Sequence, residues 1–203
     1  MRNFINIVEN ADLQSFVTLA QKHDTVEKFI RATDGMDVLY RGHSDEVVPN
    51  NCFMTDYVGH AANYSDDGNG RIDAFAYDHR DVLYYDDDRF DEMRNAYRRL
   101  SNQQLATIYR EALAGNRHSN EFSNSLRMVV TVIRGEMPYS KICGIPRRND
   151  VMIPLMQKYA RDAHGKNIIA FHGNDYAEYG GQTEFVVGDV SKLVDLRKLY
   201  ATL

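Results

Sequence analysis

Apolar residues recur along this chain in two rhythms that do not alternate regularly, and this mixture is what most restricts the fold. Helical spacing is concentrated in residues 11–32 (Leu13, Phe16 and Leu19, then Val26, Phe29 and Ile30, with a break near His23-Asp24) and again in the middle of the chain. Short apolar or alternating runs predict strands at 37–41, 51–54, 126–133, 166–171, 183–187 and 192–196. A helix is predicted over 57–64, following the second strand. Residues 65–88 are rich in Asp and Gly and read as irregular, with one hairpin through 73–85. Helices are predicted over 89–100, 102–114 and 149–163, closed by Gly115 and Gly165 at the ends of the last two. Pro154 is expected to disturb the start of the last helix or to delay it. Grouped helices and short strands with irregular links favour an α+β fold over βαβ repetition.

The 203 residues fit one domain, with residues 66–120 as an insertion or helical lobe. Hydrophobic residues at 43% and charged residues at 26% describe a chain able to bury a core. A net charge of −5 argues against broad attraction to nucleic acid or to an anionic membrane. With no long apolar run and no apolar leader in Met1-Arg2-Asn3-Phe4-Ile5-Asn6, the expectation is a soluble cytoplasmic protein, native to its cell or delivered to a host. Cys52 and Cys143 have no metal-like spacing and read as buried free thiols.

Three segments carry chemistry. In Leu39-Tyr40-Arg41-Gly42-His43-Ser44, an Arg at a strand end beside a Gly offers a forked donor where a ligand can approach the backbone. The structural alternative is an Arg paired with one of the many acidic groups. In 52–64, a strand ends at the hydroxyl of Thr55 and is followed by a helix with small residues and Tyr64 on one face. In Tyr179-Gly180-Gly181-Gln182-Thr183-Glu184-Phe185-Val186-Val187, Gln182 and Glu184 flank Thr183 and project from one face of a strand. The competing reading there is a polar edge strand. The loop 65–73 has the outline of an EF-hand, but Ser65 and Ala76 occupy the first and last ligand positions, so a solvated acidic loop is expected. Asp86-Asp87-Asp88 reads as a helix N-terminal signal, and Arg147-Arg148 as a surface pair. His43 and His172 are the two histidines placed near these segments.

In this order, Tyr-Arg-Gly, Phe-x-Thr-Asp with a later Ala-x-x-Tyr, and Gln-x-Glu before Val-Val, the three segments resemble the ADP-ribosyltransferase superfamily. Arg41 matches its toxin-like branch. The segment 179–184 is similar to the aromatic-x-Gly-Gln-x-Glu turn of Rho-modifying exoenzymes and guanine-modifying toxins. Ala61-Ala62-Asn63-Tyr64 looks more like the polymerase branch. Thr55 stands alone where the toxin branch has Ser-Thr-Ser, and Phe53 where the polymerase branch has Tyr.

The resemblance implies a split β-sandwich with N-terminal helices and a helical insertion, and a mono-ADP-ribosyltransferase that uses NAD as substrate without a metal. The implied catalytic set is Glu184, Gln182, Arg41 and Thr55. NAD would be held by Arg41, Gly42, Phe53, Thr55, Tyr64 and Glu184, with Tyr179 and Gln182 meeting the acceptor. A protein acceptor is the first expectation, consistent with a phage or bacterial effector. The alternatives are a nucleobase or water as acceptor, or a domain that binds NAD or a partner without turnover.

Overall fold

The computed structural model describes residues 18, 20–25, 28–29, 38–43, 52–63, 65, 71–114, 122–135, 137–138, 141, 146–171 and 183–200. It mixes helices and strands, as the α+β reading requires, and divides into two compact units, 1–81 with 189–203, and 82–188. Of the segment 66–120 expected as an insertion, Arg71–Ala76 is a strand of the first unit, while the helices after 82 belong to the second.

The first unit contains β1 (Val38–His43), β2 (Cys52–Thr55), α1 (Val58–Ala62), β3 (Arg71–Ala76), β7 (Val194–Asp195) and α6 (Leu196–Tyr200). Its strands run in the order β2-β1-β3-β7, every neighbouring pair antiparallel. β1 and β3 pair along their whole length, from Val38↔Ala76 to His43↔Arg71. That full ladder carries β1 through Gly42, which the sequence suggested would end it. Alternation puts Val38, Ala74 and Ala76 on one face, where they pack with Ala20, Phe29, Leu196 and Leu199 in one apolar cluster. Around the expected break at His23-Asp24, Thr18 and Ala20 are helical, residues 21–25 form turns and bends, and Lys28 and Phe29 are helical again.

In the second unit, β4 (Val82–Tyr85) leads into α2 (Asp87–Arg98), α3 (Asn102–Leu113), α4 (Phe122–Arg134) and α5 (Pro146–His164); β5 (Ile168–Phe171) and β6 (Glu184–Val187) follow. β4 and β5 are parallel, joined by a segment that includes these four helices, and β5 and β6 are antiparallel. Asp86 caps α2 by accepting from the Arg89 amide at 2.8 Å, with Asp87 and Asp88 in the first turn, so the acidic run is a helix start as expected. Ser101 and Gln104 form a reciprocal capping box on α3. The core is large and built from long side chains, among them Phe90, Met93, Leu105, Tyr109, Ile133, Met152 and Met156.

Four sequence expectations are corrected. Residues 126–133 lie within a helix, α4, not a strand. Val129, Val132 and Ile133 are buried and Leu126 packs beside them, a 3-4 spacing that outweighs the β-branched composition. The hairpin over 73–85 does not form, because β3 pairs with β1 and β7 while β4 pairs with β5. Of the stretch expected to be irregular, residues 71–85 instead form β3, a 3-10 turn and β4, and Asp73 is a buried strand residue. Finally, α5 starts at Pro146, where a proline has no amide to lose, and runs through the buried Pro154 to a Gly165 cap with φ +67°.

Candidate functional site

Where β1 meets β2 the ladder is short. Among the described residues the two strands share one register pair, Tyr40↔Thr55. Next to it, Arg41 Nη1 donates to the Phe53 carbonyl oxygen at 2.9 Å, so a guanidinium supplies a hydrogen bond to the β2 backbone. Arg41 Nε is buried and has no hydrogen-bond partner among the described residues. Arg41 thus holds the strand edge and keeps unspent donor capacity. Thr55 shares a face with its register partner Tyr40, and alternation along β1 places Arg41 on the other face.

Gly42 is set by packing. A Cβ there would collide with the Ala61 carbonyl oxygen and lie 2.8 Å from the Ala61 carbonyl carbon and 2.9 Å from the Ser65 nitrogen. The glycine lets α1 cross β1 at backbone contact. The start of α1 is fixed by Thr55, whose buried Oγ1 accepts from the Tyr57 amide at 3.2 Å. The Tyr57 carbonyl then accepts from the His60 and Ala61 amides at 3.1 and 3.2 Å.

Around this anchored turn three large apolar side chains are exposed. Phe53 is 40% exposed, Tyr57 53% and Val58 49%. The Tyr57 ring lies close over Gly59, where an added Cβ would come within 2.7 Å of Tyr57 Cε1. Three large apolar side chains within six residues form a patch that the sequence reading found only in part, through Phe53. Tyr57 was missed because a single Tyr at a helix start carries no periodic signal. Beneath the patch, burial pushes the Cys52 thiol up to about 11, with Arg41 opposing, so it is the inert buried thiol expected from the sequence.

Glu184 opens β6 in the second unit, opposite Phe171 in the β5 ladder. It is half-buried, and desolvation alone pushes its carboxyl above the usual range. No hydrogen bond or ion pair engages it among the described residues. Tyr64, Tyr179, Gln182 and His172 lie outside the described residues, as do Cys143 and most of the acidic loop 66–70. The side chains of His43, Arg147 and Arg148 are likewise not described.

A charged cluster that the sequence reading did not identify sits on β3. Asp73, 2% exposed, pairs with Arg71 Nη2 at 2.9 Å and Arg197 Nε at 3.2 Å. Arg197 Nε and Nη2 also donate to the Ile72 carbonyl at 3.0 and 2.5 Å. Asp73 is the register partner of Arg41. The signal was hidden because Arg197 reaches β3 from the far end of the chain.

No family model, curated protein or solved structure matches the chain. No helix among the described residues is long and apolar enough to cross a membrane. No group of three or more His, Cys, Asp or Glu among the described residues is placed to hold a metal ion.

Proposed function

We propose that the chain is an NAD-dependent mono-ADP-ribosyltransferase in which Glu184 stabilises the transition state for cleavage of the nicotinamide-ribose bond. The observation that carries this reading is the state of Glu184: a half-buried carboxylate, desolvated and without a structural partner among the described residues. Folding gains nothing from such a group, and perturbed carboxylates of this kind concentrate at functional sites. It is also the Glu of the Gln-x-Glu segment.

Cleavage develops positive charge on the ribose ring, as in glycoside hydrolysis, and a carboxylate held out of water stabilises that charge more strongly than a solvated one. Arg41 supplies the forked cation for the NAD diphosphate, and its buried Nε is a donor still to be satisfied. Phe53 offers an exposed aromatic face for the nicotinamide ring. Gln182 and Tyr179 meet the acceptor, a protein side chain in the favoured reading, a nucleobase or water in the alternatives.

Incubation of the wild type and Glu184→Gln with NAD labelled in the adenosine half, with and without cell lysate, tests the reading. Label on protein or nucleic acid that depends on Glu184 identifies a transferase and its acceptor class. Nicotinamide release without label identifies water as acceptor. Absence of both in the wild type rejects enzymatic cleavage.

A further inference from the structure

Helix α4 carries two stripes. Leu126, Val129 and Ile133 turn to the core of the second unit. Asn124, Arg127, Met128, Thr131 and Val132, spaced three and four residues apart, line a cavity of about 240 Å³ together with Met137, which lies beyond the helix end. Asn124, Arg127 and Thr131 are exposed, Met128 and Met137 are half-buried, and Val132 is buried. The cavity is therefore apolar at its floor and polar at its rim, the usual make-up of a small-ligand pocket.

Its far wall is tethered. Arg94, only 9% exposed, donates from Nη1 to the Met137 carbonyl at 3.1 Å and pairs with Asp91 at 3.0 Å, which ties the segment after α4 to α2. The two arginines of α4 differ in what they touch. Arg134 donates to the carbonyls of Arg98 and Leu100 and, at 3.2 Å, to Asn102 Oδ1. The Arg127 guanidinium has no hydrogen bond or ion pair among the described residues, and neither has the Asn124 amide. Thr131 Oγ1 donates to the Arg127 carbonyl at 3.0 Å, which leaves its hydroxyl as an acceptor only.

We propose that this cavity binds a small aromatic monocarboxylate, with the ring among Met128, Val132 and Met137 and the carboxylate on the Arg127 guanidinium and the Asn124 amide. An unpaired guanidinium beside an amide donor suits an anion, and the fork of the guanidinium suits a carboxylate. Two thioethers at the floor favour a ring through sulfur-aromatic contact. A cavity of about 150 Å³ holds benzene, so this one has room for about ten non-hydrogen atoms, a ring with a short acid arm. Its six lining residues are far fewer than the roughly 20–30 that each side of a stable protein interface supplies. Binding here needs neither Glu184 nor cleavage of NAD, so it stands or falls apart from the transferase reading.

The test is NMR of the whole chain, labelled at the methionine methyl groups and titrated with phenylacetate. Of the eight methionines, the two signals assigned through Met128→Leu and Met137→Leu should shift and saturate, while the others stay in place. Phenylethanol, which lacks the charge, and phenylethylamine, which reverses it, should bind about tenfold more weakly or worse. Arg127→Gln should weaken phenylacetate by about tenfold and leave phenylethanol unchanged. Because Arg127 has no partner to lose, this variant should melt as the wild type does. Arg127→Lys keeps the charge and loses the fork, and a weakening of a few-fold is expected. Arg161→Gln, on α5, should bind as the wild type does.

No saturable shift at Met128 or Met137 overturns the proposal. Wild-type affinity for phenylacetate in Arg127→Gln also overturns it, as does equal affinity of the wild type for phenylacetate and phenylethylamine. Shifts of the same two methyl groups that follow protein concentration without ligand would mean that a second copy of the chain fills the cavity, and would overturn it too.

Discussion

The two units of this chain are stabilised by different means. Residues 82–188 surround Phe90, Met93, Leu105, Tyr109 and Met152, all fully or almost fully buried, with helices whose ends are capped by their own sequence. Among the described residues of 1–81 with 189–203, the buried apolar side chains include Ala20, Ala74 and Ala76 on one face of the sheet, with Leu39, Met54 and Phe75 also buried. Its sheet also carries charged side chains: Arg41 bonds a strand carbonyl, and Asp73 is buried among arginines. It also leaves Phe53, Tyr57 and Val58 in solvent. A unit that spends buried positions on charge and exposes aromatic rings gives up stability, and functional surfaces commonly do so.

The largest effect expected is in the second unit. Phe90→Ala removes a fully buried ring and should cost about 3–5 kcal/mol. Chemical denaturation measures the total, and hydrogen exchange should show the lost protection in α2 and its neighbours. In the first unit the sharpest break is Gly42→Ala, for which about 3 kcal/mol is expected because the obstacle is the Ala61 backbone and not a flexible side chain. Equal stability in this variant would mean that α1 does not cross β1 at backbone contact.

A subtler substitution separates packing from polar satisfaction. The Tyr85 hydroxyl donates to the Met156 carbonyl at 2.9 Å within the second core. Tyr85→Phe keeps the ring and loses that bond, at an expected cost of about 1–2 kcal/mol read from the denaturation midpoint.

The smallest stability effect is expected at Glu184, and its sign is opposite. Desolvation raises the folded-state pKa above the ordinary carboxyl value of 4.5, so the folded protein binds more protons than the unfolded chain as pH rises through that window. Stability falls across it, and the deficit is complete above the folded-state pKa. Glu184→Gln should therefore melt higher than the wild type at neutral pH, with the difference vanishing in acid. A lower melting temperature at neutral pH would mean that the carboxylate has a structural partner.

The second unit was the more legible in the sequence. Its helices α2 and α3 announce themselves through Asp86-Asp87-Asp88 and an apolar stripe through Leu105, Tyr109 and Leu113. The error at 126–133 came from weighting Val129, Val130, Val132 and Ile133 by β-propensity when their spacing is helical. The first unit was harder because its pairings are non-local: β7 joins β3 from the end of the chain, and no pattern around Arg71-Ile72-Asp73 foretells Arg197. Of the candidate site, Arg41, Phe53 and Thr55 were legible as an Arg-Gly strand end and a strand-to-helix turn. The single β1-β2 register pair, and the donation of Arg41 to the Phe53 carbonyl, depend on where the strands part, which composition does not encode.

The central claim concerns one carboxylate, and the most direct measurement is nicotinamide release from NAD by the purified wild type and by Glu184→Gln, followed across pH. Release by the wild type should rise with pH as the raised Glu184 pKa is passed, with a loss of about a hundredfold or more in the Gln variant. Equal release by the two proteins, or none by a folded wild type, would contradict it.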